Sequence, residues 1–159
     1  MSEFGKQYQN NRSNKNALVY DFEKVVTKAY PIANTAIVYP KGTPVTLNGS
    51  GQVAICTRSD RPFSVVKVAN RLNDTDYDYN GYVTVVEAGV YDHAIGYADT
   101  AAVATGALVT SLGTWSNDPE YADFRTAASG EYVIGICVSG GADGSQIEIA
   151  LFAQPFELP

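Results

Sequence analysis

Residues 76–87 read DYDYNGYVTVVE, and they fit D-x-[DN]-x-[DN]-G-x5-E, the pattern of an EF-hand calcium loop, at every specified position. Asp76, Asp78 and Asn80 take loop positions one, three and five. Gly81 takes the sharp turn, and Glu87 falls where a two-oxygen ligand belongs. The flanks do not suit this chemistry, because an EF-hand needs a helix on each side of its loop. The segment after Gly81, YVTVVEAGVYD, is β-branched and carries Gly89 just past Glu87; SVVKVANRL before the loop is rich in valine. In a strand that starts near Tyr82, Glu87 runs away from the turn at about 3.3 Å per residue and cannot fold back to complete a coordination shell. Asp, Asn and Gly are common in surface turns because they tolerate turn geometry and hydrogen-bond their own backbone. We therefore read this stretch as a turn and expect no metal site. If an ion bound there, Asp74, Asp76, Asp78 and Asn80 would hold it, with Glu87 a bystander.

Other reactive residue types are sparse. His93 is the single histidine, and its neighbour Asp92 faces the opposite side of a strand, so the pair makes no triad. KGTPVTLNGSG lacks the order of a phosphate-binding P-loop, and no G-x-S-x-G elbow occurs. Cys56 and Cys137 sit in strand-like runs, VAICT and VIGICV. Two distant cysteines are neither a disulfide framework nor a zinc site, and they read as buried small hydrophobes. Whether they pair stays open. Asp118, Glu120 and Glu131 read as solvated loop charges. Trp115, with Tyr121 and Phe124 nearby, reads as packing before it reads as a sugar-stacking platform. The residues give no catalytic group and no cofactor site, so we expect no enzyme.

The elements that would carry any site are strands. The chain has 159 residues, 45% hydrophobic, enough for a real core. Val, Ile, Thr and Tyr recur, and helix-favouring stretches are missing. A net charge of -6 argues against nucleic acid as a partner. No apolar run reaches the roughly 18 residues of a membrane span. The polar start, MSEFGKQYQNNRSNKN, lacks the apolar core of a signal peptide, so we expect synthesis and use in a cytosol-like compartment.

Residues 1–16 read as a flexible polar arm. Phe4 and Tyr8 are its candidate partner anchors, with Arg12 and Lys15 as candidate contacts for acidic surface. Residues 17–159 read as a single β-rich domain. Strand candidates are ALVYDF, KVVTKAY, TAIVY, TPVTL, QVAICT, FSVVKVA, YVTVVEA, YDHAIGY, ALVTSL, YVIGICVS and QIEIALFA, separated by turn signals such as PKGT and LNGSGQ. Short helices are conceivable only near Asp99–Ala107 and in VVKVANRL.

The chain also echoes itself. KGTPVTL (41–47) matches TGALVTSL (105–112) at an offset of 64, with Gly42 on Gly106 and Val45 on Val109. RPFSVVKVA (61–69) matches GEYVIGICV (130–138) at an offset of 69, and YVTVVEA matches QIEIALF at 64 again. An insertion at TWSNDPEYAD (114–123) accounts for the five-residue excess, and the loop 70–80 is correspondingly longer in the first copy. We expect an all-β fold, a small barrel or sandwich of two related β units that bury their apolar faces on each other, preceded by an extended N-terminal arm.

From Lys41 onward the chain resembles the head decoration (capsid cement) proteins of tailed bacteriophages. The resemblance lies in GTPVTLNGSGQVAI and GALVTSLG, in the Ile-Gly elements AIGYADT and VIGICVSG, and in GYVTVVEAGVY as a V-x-V-x-x-x-G-V segment. It implies a structural virion protein on the capsid exterior, made in the host cytoplasm. The implied partner is the major capsid protein, the implied assembly a homotrimer, and neither nucleic acid nor membrane is involved. In some members an N-terminal arm pairs with coat protein, a role that 1–16 fits. The segment 17–30 and the 114–123 loop depart from the shorter members. The alternative reading is a carbohydrate- or receptor-binding β module of a virion fibre or surface structure.

Overall fold

The computed structural model describes residues 18–20, 26–70, 81–88 and 91–159, and among them there is no α-helix. Eleven strands follow one another: β1 (Leu18–Tyr20), β2 (Val26–Pro31), β3 (Pro44–Leu47), β4 (Val53–Ile55), β5 (Ser64–Val68), β6 (Tyr82–Ala88), β7 (Tyr91–Ala98), β8 (Leu108–Ser111), β9 (Asp123–Thr126), β10 (Tyr132–Ser139) and β11 (Gln146–Glu157). The strands divide at the β6–β7 connection. β7 to β11 form a sheet in the order β7-β11-β10-β8-β9, and a parallel pairing of Tyr97 and Ala98 with Asp123 and Phe124 returns β9 to β7. This closes a five-stranded barrel. β2 to β6 run in the order β2-β6-β5-β3-β4, and an isolated parallel bridge joins Ile32, just past β2, to Val53 of β4.

The two units share one topology down to individual hydrogen bonds. The Gly42 N–H donates to the Val66 carbonyl at 2.8 Å, and the Gly106 N–H to the Cys137 carbonyl at 2.7 Å. Ile32 donates to Gly81 where Ala98 donates to Ser145, and Ala33 to Val53 where Asp99 donates to Phe124. Even the bulge between Val66 and Val68 recurs between Cys137 and Ser139. Gly42 and Gly106 both have positive φ (77° and 88°), a conformation glycine adopts without a steric penalty, which explains why both copies keep it there.

These bonds refine the sequence echo. Pro44 lies on Leu108 at the expected offset of 64, but Val66 lies on Cys137 at 71 rather than 69. The two registers differ by two residues, which leaves every side chain on its own face, so the hydrophobic pattern cannot separate them. The excess is thus seven residues. It lies in the β8–β9 loop and is recovered where the first copy has the longer β5–β6 connection.

Each unit buries its own core, where the repeat suggested two faces closing on one another. Val45, Val53, Val66, Val83, Val85 and Ile32 fill the first; the equivalent Val109, Phe124, Cys137, Ile147, Ile149 and Ala98 fill the second. At about 1.5–3 kcal/mol per buried aliphatic side chain, closing each sheet on itself already satisfies its apolar face. Contacts between the units include strand ends, turns and one bulge. The Ser111 hydroxyl donates to the Cys56 carbonyl at 3.1 Å, and the Tyr132 N–H to the Arg58 carbonyl at 2.9 Å. Opposite Val133–Gly135 of β10, β11 carries extra residues between Leu151 and Phe156. This bulge brings Leu151, Phe152 and Pro155 to a small apolar cleft whose other wall is Pro44, Pro62 and Phe63 of the first unit.

Neither helix expectation holds. Val103 bridges Gly141 in the 99–107 stretch, and VVKV of VVKVANRL lies in β5. TAIVY is not a strand either. Its backbone bonds to a side chain instead of a ladder: the Tyr39 N–H donates to Asn70 Oδ1 at 2.8 Å, and Asn70 Nδ2 donates to the Ile37 carbonyl at 2.8 Å. The sequence reading missed β9, a four-residue strand.

Candidate functional site

Phe4, Tyr8, Arg12 and Lys15 lie outside the described residues, as do Asp74, Asp76, Asp78 and Asn80. Both flanks of that acidic loop are strands, β5 before it and β6 after it, so the helix pair of an EF-hand is replaced by neighbours in one sheet. Gly81 is held at the base of β6 by the Ile32 N–H at 2.9 Å, and Glu87 follows six residues up the strand, about 20 Å along it. Among the described residues, no three His, Cys, Asp or Glu side chains group as metal ligands.

His93 occupies an interior position of β7, paired with Val19 of β1 on one side and Ala150 of β11 on the other. Cys56 and Cys137 are both free and buried, one beside the junction of the units and the other inside the second core. Burial pushes both thiols up from their ordinary pKa, and the Asp60 carboxylate adds to the effect at Cys56. Thiolate is the reactive form, so a raised pKa at fixed pH means less of it. Ellman's reagent at pH 8 is expected to find no fast-reacting thiol in the native protein and two per chain in guanidinium. Rapid native labelling would contradict this placement.

Two of the aromatics near Trp115 are packed inside. Phe124 is wholly buried in the second core, and Tyr121 is buried with its ring edge-on to Tyr97, centroids 5.8 Å apart. Trp115 itself is half-buried.

Two acidic groups that sequence did not single out as structural are the best-defined polar sites. The Asp123 carboxylate is fully buried at the start of β9. Its Oδ2 accepts from Thr114 Oγ1 (2.9 Å) and from the Ser116 N–H (2.6 Å), and its Oδ1 accepts from Asn117 Nδ2 (3.2 Å). The Ser116 hydroxyl lies 2.7 Å from Asp123 Oδ2 and 2.9 Å from Asp99 Oδ2, with one proton to give. One side chain thus gathers the inserted β8–β9 loop. The sequence signal was an acid following a run of Thr, Ser and Asn, side chains and backbone that donate.

Glu131, expected to be a solvated charge, is 8% exposed. It pairs with Arg125, caps its own turn through the Ala128 N–H at 2.8 Å, and reaches Arg58 of the first unit at 3.8 Å. The equivalent turn of the first unit is built alike, with Asp60 accepting from the Thr57 N–H at 2.8 Å. The two matching turns therefore meet at the junction, and burial of Glu131 follows from that meeting. These groups organise loops and the junction; each acceptor is consumed by protein donors, which suits a rigid scaffold.

No family model matches the chain, and neither does any curated protein or any solved structure.

Proposed function

We propose that the protein is a structural component of a phage particle, which binds the outside of the capsid and stabilises contacts between coat subunits. The observation that carries the reading is the attachment of the N-terminal segment. β1 adds to the flank of the second barrel by pairing Leu18 with Ala94 and Val19 with His93, so the polar stretch before it is tethered at that flank. Such a stretch can add to a neighbour's sheet through main-chain bonds, largely whatever its side chains. The Gly-led strands on which the resemblance rests are β3 and β8, equivalent elements of the two units. Polar groups spent on loops and on the junction fit a scaffold whose work is contact. The partner on this reading is the major capsid protein, met by Phe4, Tyr8, Arg12 and Lys15, with a trimer as the working assembly. Many copies on a lattice relax the demand on each contact, because linked sites raise effective concentration.

The test is a count. Virions of the source phage are purified on a density gradient and this chain is quantified against the major coat protein. Hundreds of copies, near-stoichiometric with coat, are expected. A handful of copies would move the chain to a tail or fibre, and absence from the particle would end the reading.

A further inference from the structure

The internal duplication exposes a difference between the two units. In the second, the edge of β7 away from β11 is used along its length: β9 takes Tyr97 and Ala98, and β1 takes the stretch from Tyr91 to Ala94. In the first, the equivalent edge is that of β2 away from β6. Val53 of β4 bridges Ile32 just as Phe124 pairs with Ala98. The β1 site corresponds to residues 25–28, and from 26 onward β2 has no partner strand on this edge until Ile32 among the described residues; Thr27, Lys28 and the adjoining Ala29 are all exposed.

The backbone directions there are fixed. The Ile32 N–H points to β6, at Gly81, and the Ala33 N–H points outward, to Val53. Alternation along the strand then turns Lys28 toward β6, and sets the amide and carbonyl of Thr27 and Ala29 outward. An unpaired edge of this kind is a template for another strand. Lys28 is the residue type that guards such edges, but its ammonium lies over the Tyr30 ring, 5.0 Å from the centroid, along its own strand.

We infer that the outer edge of β2 at Thr27–Ala29 accepts an antiparallel strand from residues 1–16 of a second copy of this chain. Three features favour that occupant. The chain's own Leu18–Tyr20 already fills the matching edge of the second barrel, so this type of edge takes an added strand, and residues 1–16 adjoin the segment that supplies it. The preceding stretch has little room to continue on β7, because Leu18 pairs with Ala94 and β9 holds that edge from Tyr97 onward. Its seventeen residues reach at most about 55 Å when extended, more than the roughly 40 Å width of a body this size. Each copy then offers one donor strand and one acceptor edge. Such a head-to-tail contact closes into a ring where the rotation allows it. The inference and the capsid reading both call on residues 1–16, so the test is made first without coat protein and its outcome is separable from that reading.

The test is made on the full-length chain in solution. Amide hydrogen exchange at Thr27 and Ala29 is followed across a dilution series together with the mass from light scattering. The expected result is an oligomer in which these two amides exchange at least about tenfold more slowly than in the dilute monomer. A synthetic peptide of residues 1–16, in excess, should dissolve the oligomer while keeping both amides protected. Ala29→Pro removes one outward amide without touching the bonds to β6 and should give a monomer with a native circular dichroism spectrum. A monomer at all concentrations, whether its two amides are free or protected, overturns the proposal, as does an oligomer that survives both the peptide and a folded Ala29→Pro. Protection that arises only on adding capsids would assign the edge to coat protein instead and would likewise overturn it.

Discussion

Gly96→Ala is expected to destabilise the second barrel by about 3 kcal/mol, as much as a severe core substitution. A Cβ at this position would stand 2.2 Å from Cε2 and 2.4 Å from Cδ2 of Phe124, and 2.6 Å from the Ala122 carbonyl oxygen. Neither obstacle yields easily: Phe124 is wholly buried, and the oxygen belongs to the backbone that closes the barrel, where it accepts from the Tyr97 N–H. The first unit solves the same seam with the volumes exchanged, Tyr30 standing where Gly96 stands and Val53 where Phe124 stands. Urea unfolding of the variant should show the lower midpoint with an unchanged slope. Adding Phe124→Leu should then recover at least about 1 kcal/mol relative to additivity, since the two residues contend for one space. A Gly96→Ala protein within about 0.5 kcal/mol of wild type would mean that Phe124 does not cross β7 there.

Asp123→Ala should cost a similar amount, about 3 kcal/mol, by a different route. The substitution strands the Ser116 N–H, the Thr114 hydroxyl and the Asn117 amide, which now converge on one carboxylate. Trp115 is the only tryptophan and sits between two of these donors, so its emission reports the loop directly. The variant should show red-shifted emission already in the absence of denaturant, and a lower unfolding midpoint. Unchanged emission with a wild-type midpoint would mean that the loop keeps its shape without Asp123.

Most of the architecture was legible because the strands carry their signal in alternating side chains. Ile147, Ile149 and Leu151 marked β11, and the paired glycines at 42 and 106 marked the duplication. What escaped lay where backbone needs are met by side chains. TAIVY has the composition of a strand, yet the amide of Tyr39 bonds Asn70, a distant residue that no local window can connect to it. β9 begins with a buried carboxylate and so breaks the apolar alternation that would have revealed it. The burial of Glu131 depends on a turn of the other unit meeting its own, a contact between distant parts of the chain.

The placement of β1 also sets an order of events on the ribosome. Leu18–Tyr20 emerges before its partners, from Tyr91 to Ala94, which come about 70 residues later. At roughly 5–20 residues per second that is a wait of some 4–15 s. All five strands of the first unit are complete at Ala88, before that partner edge exists. β1 is thus made before the strands of the first unit and docked after them, and a nascent chain stalled in this window would present the five strands of the first unit complete while β1 still lacks its partner.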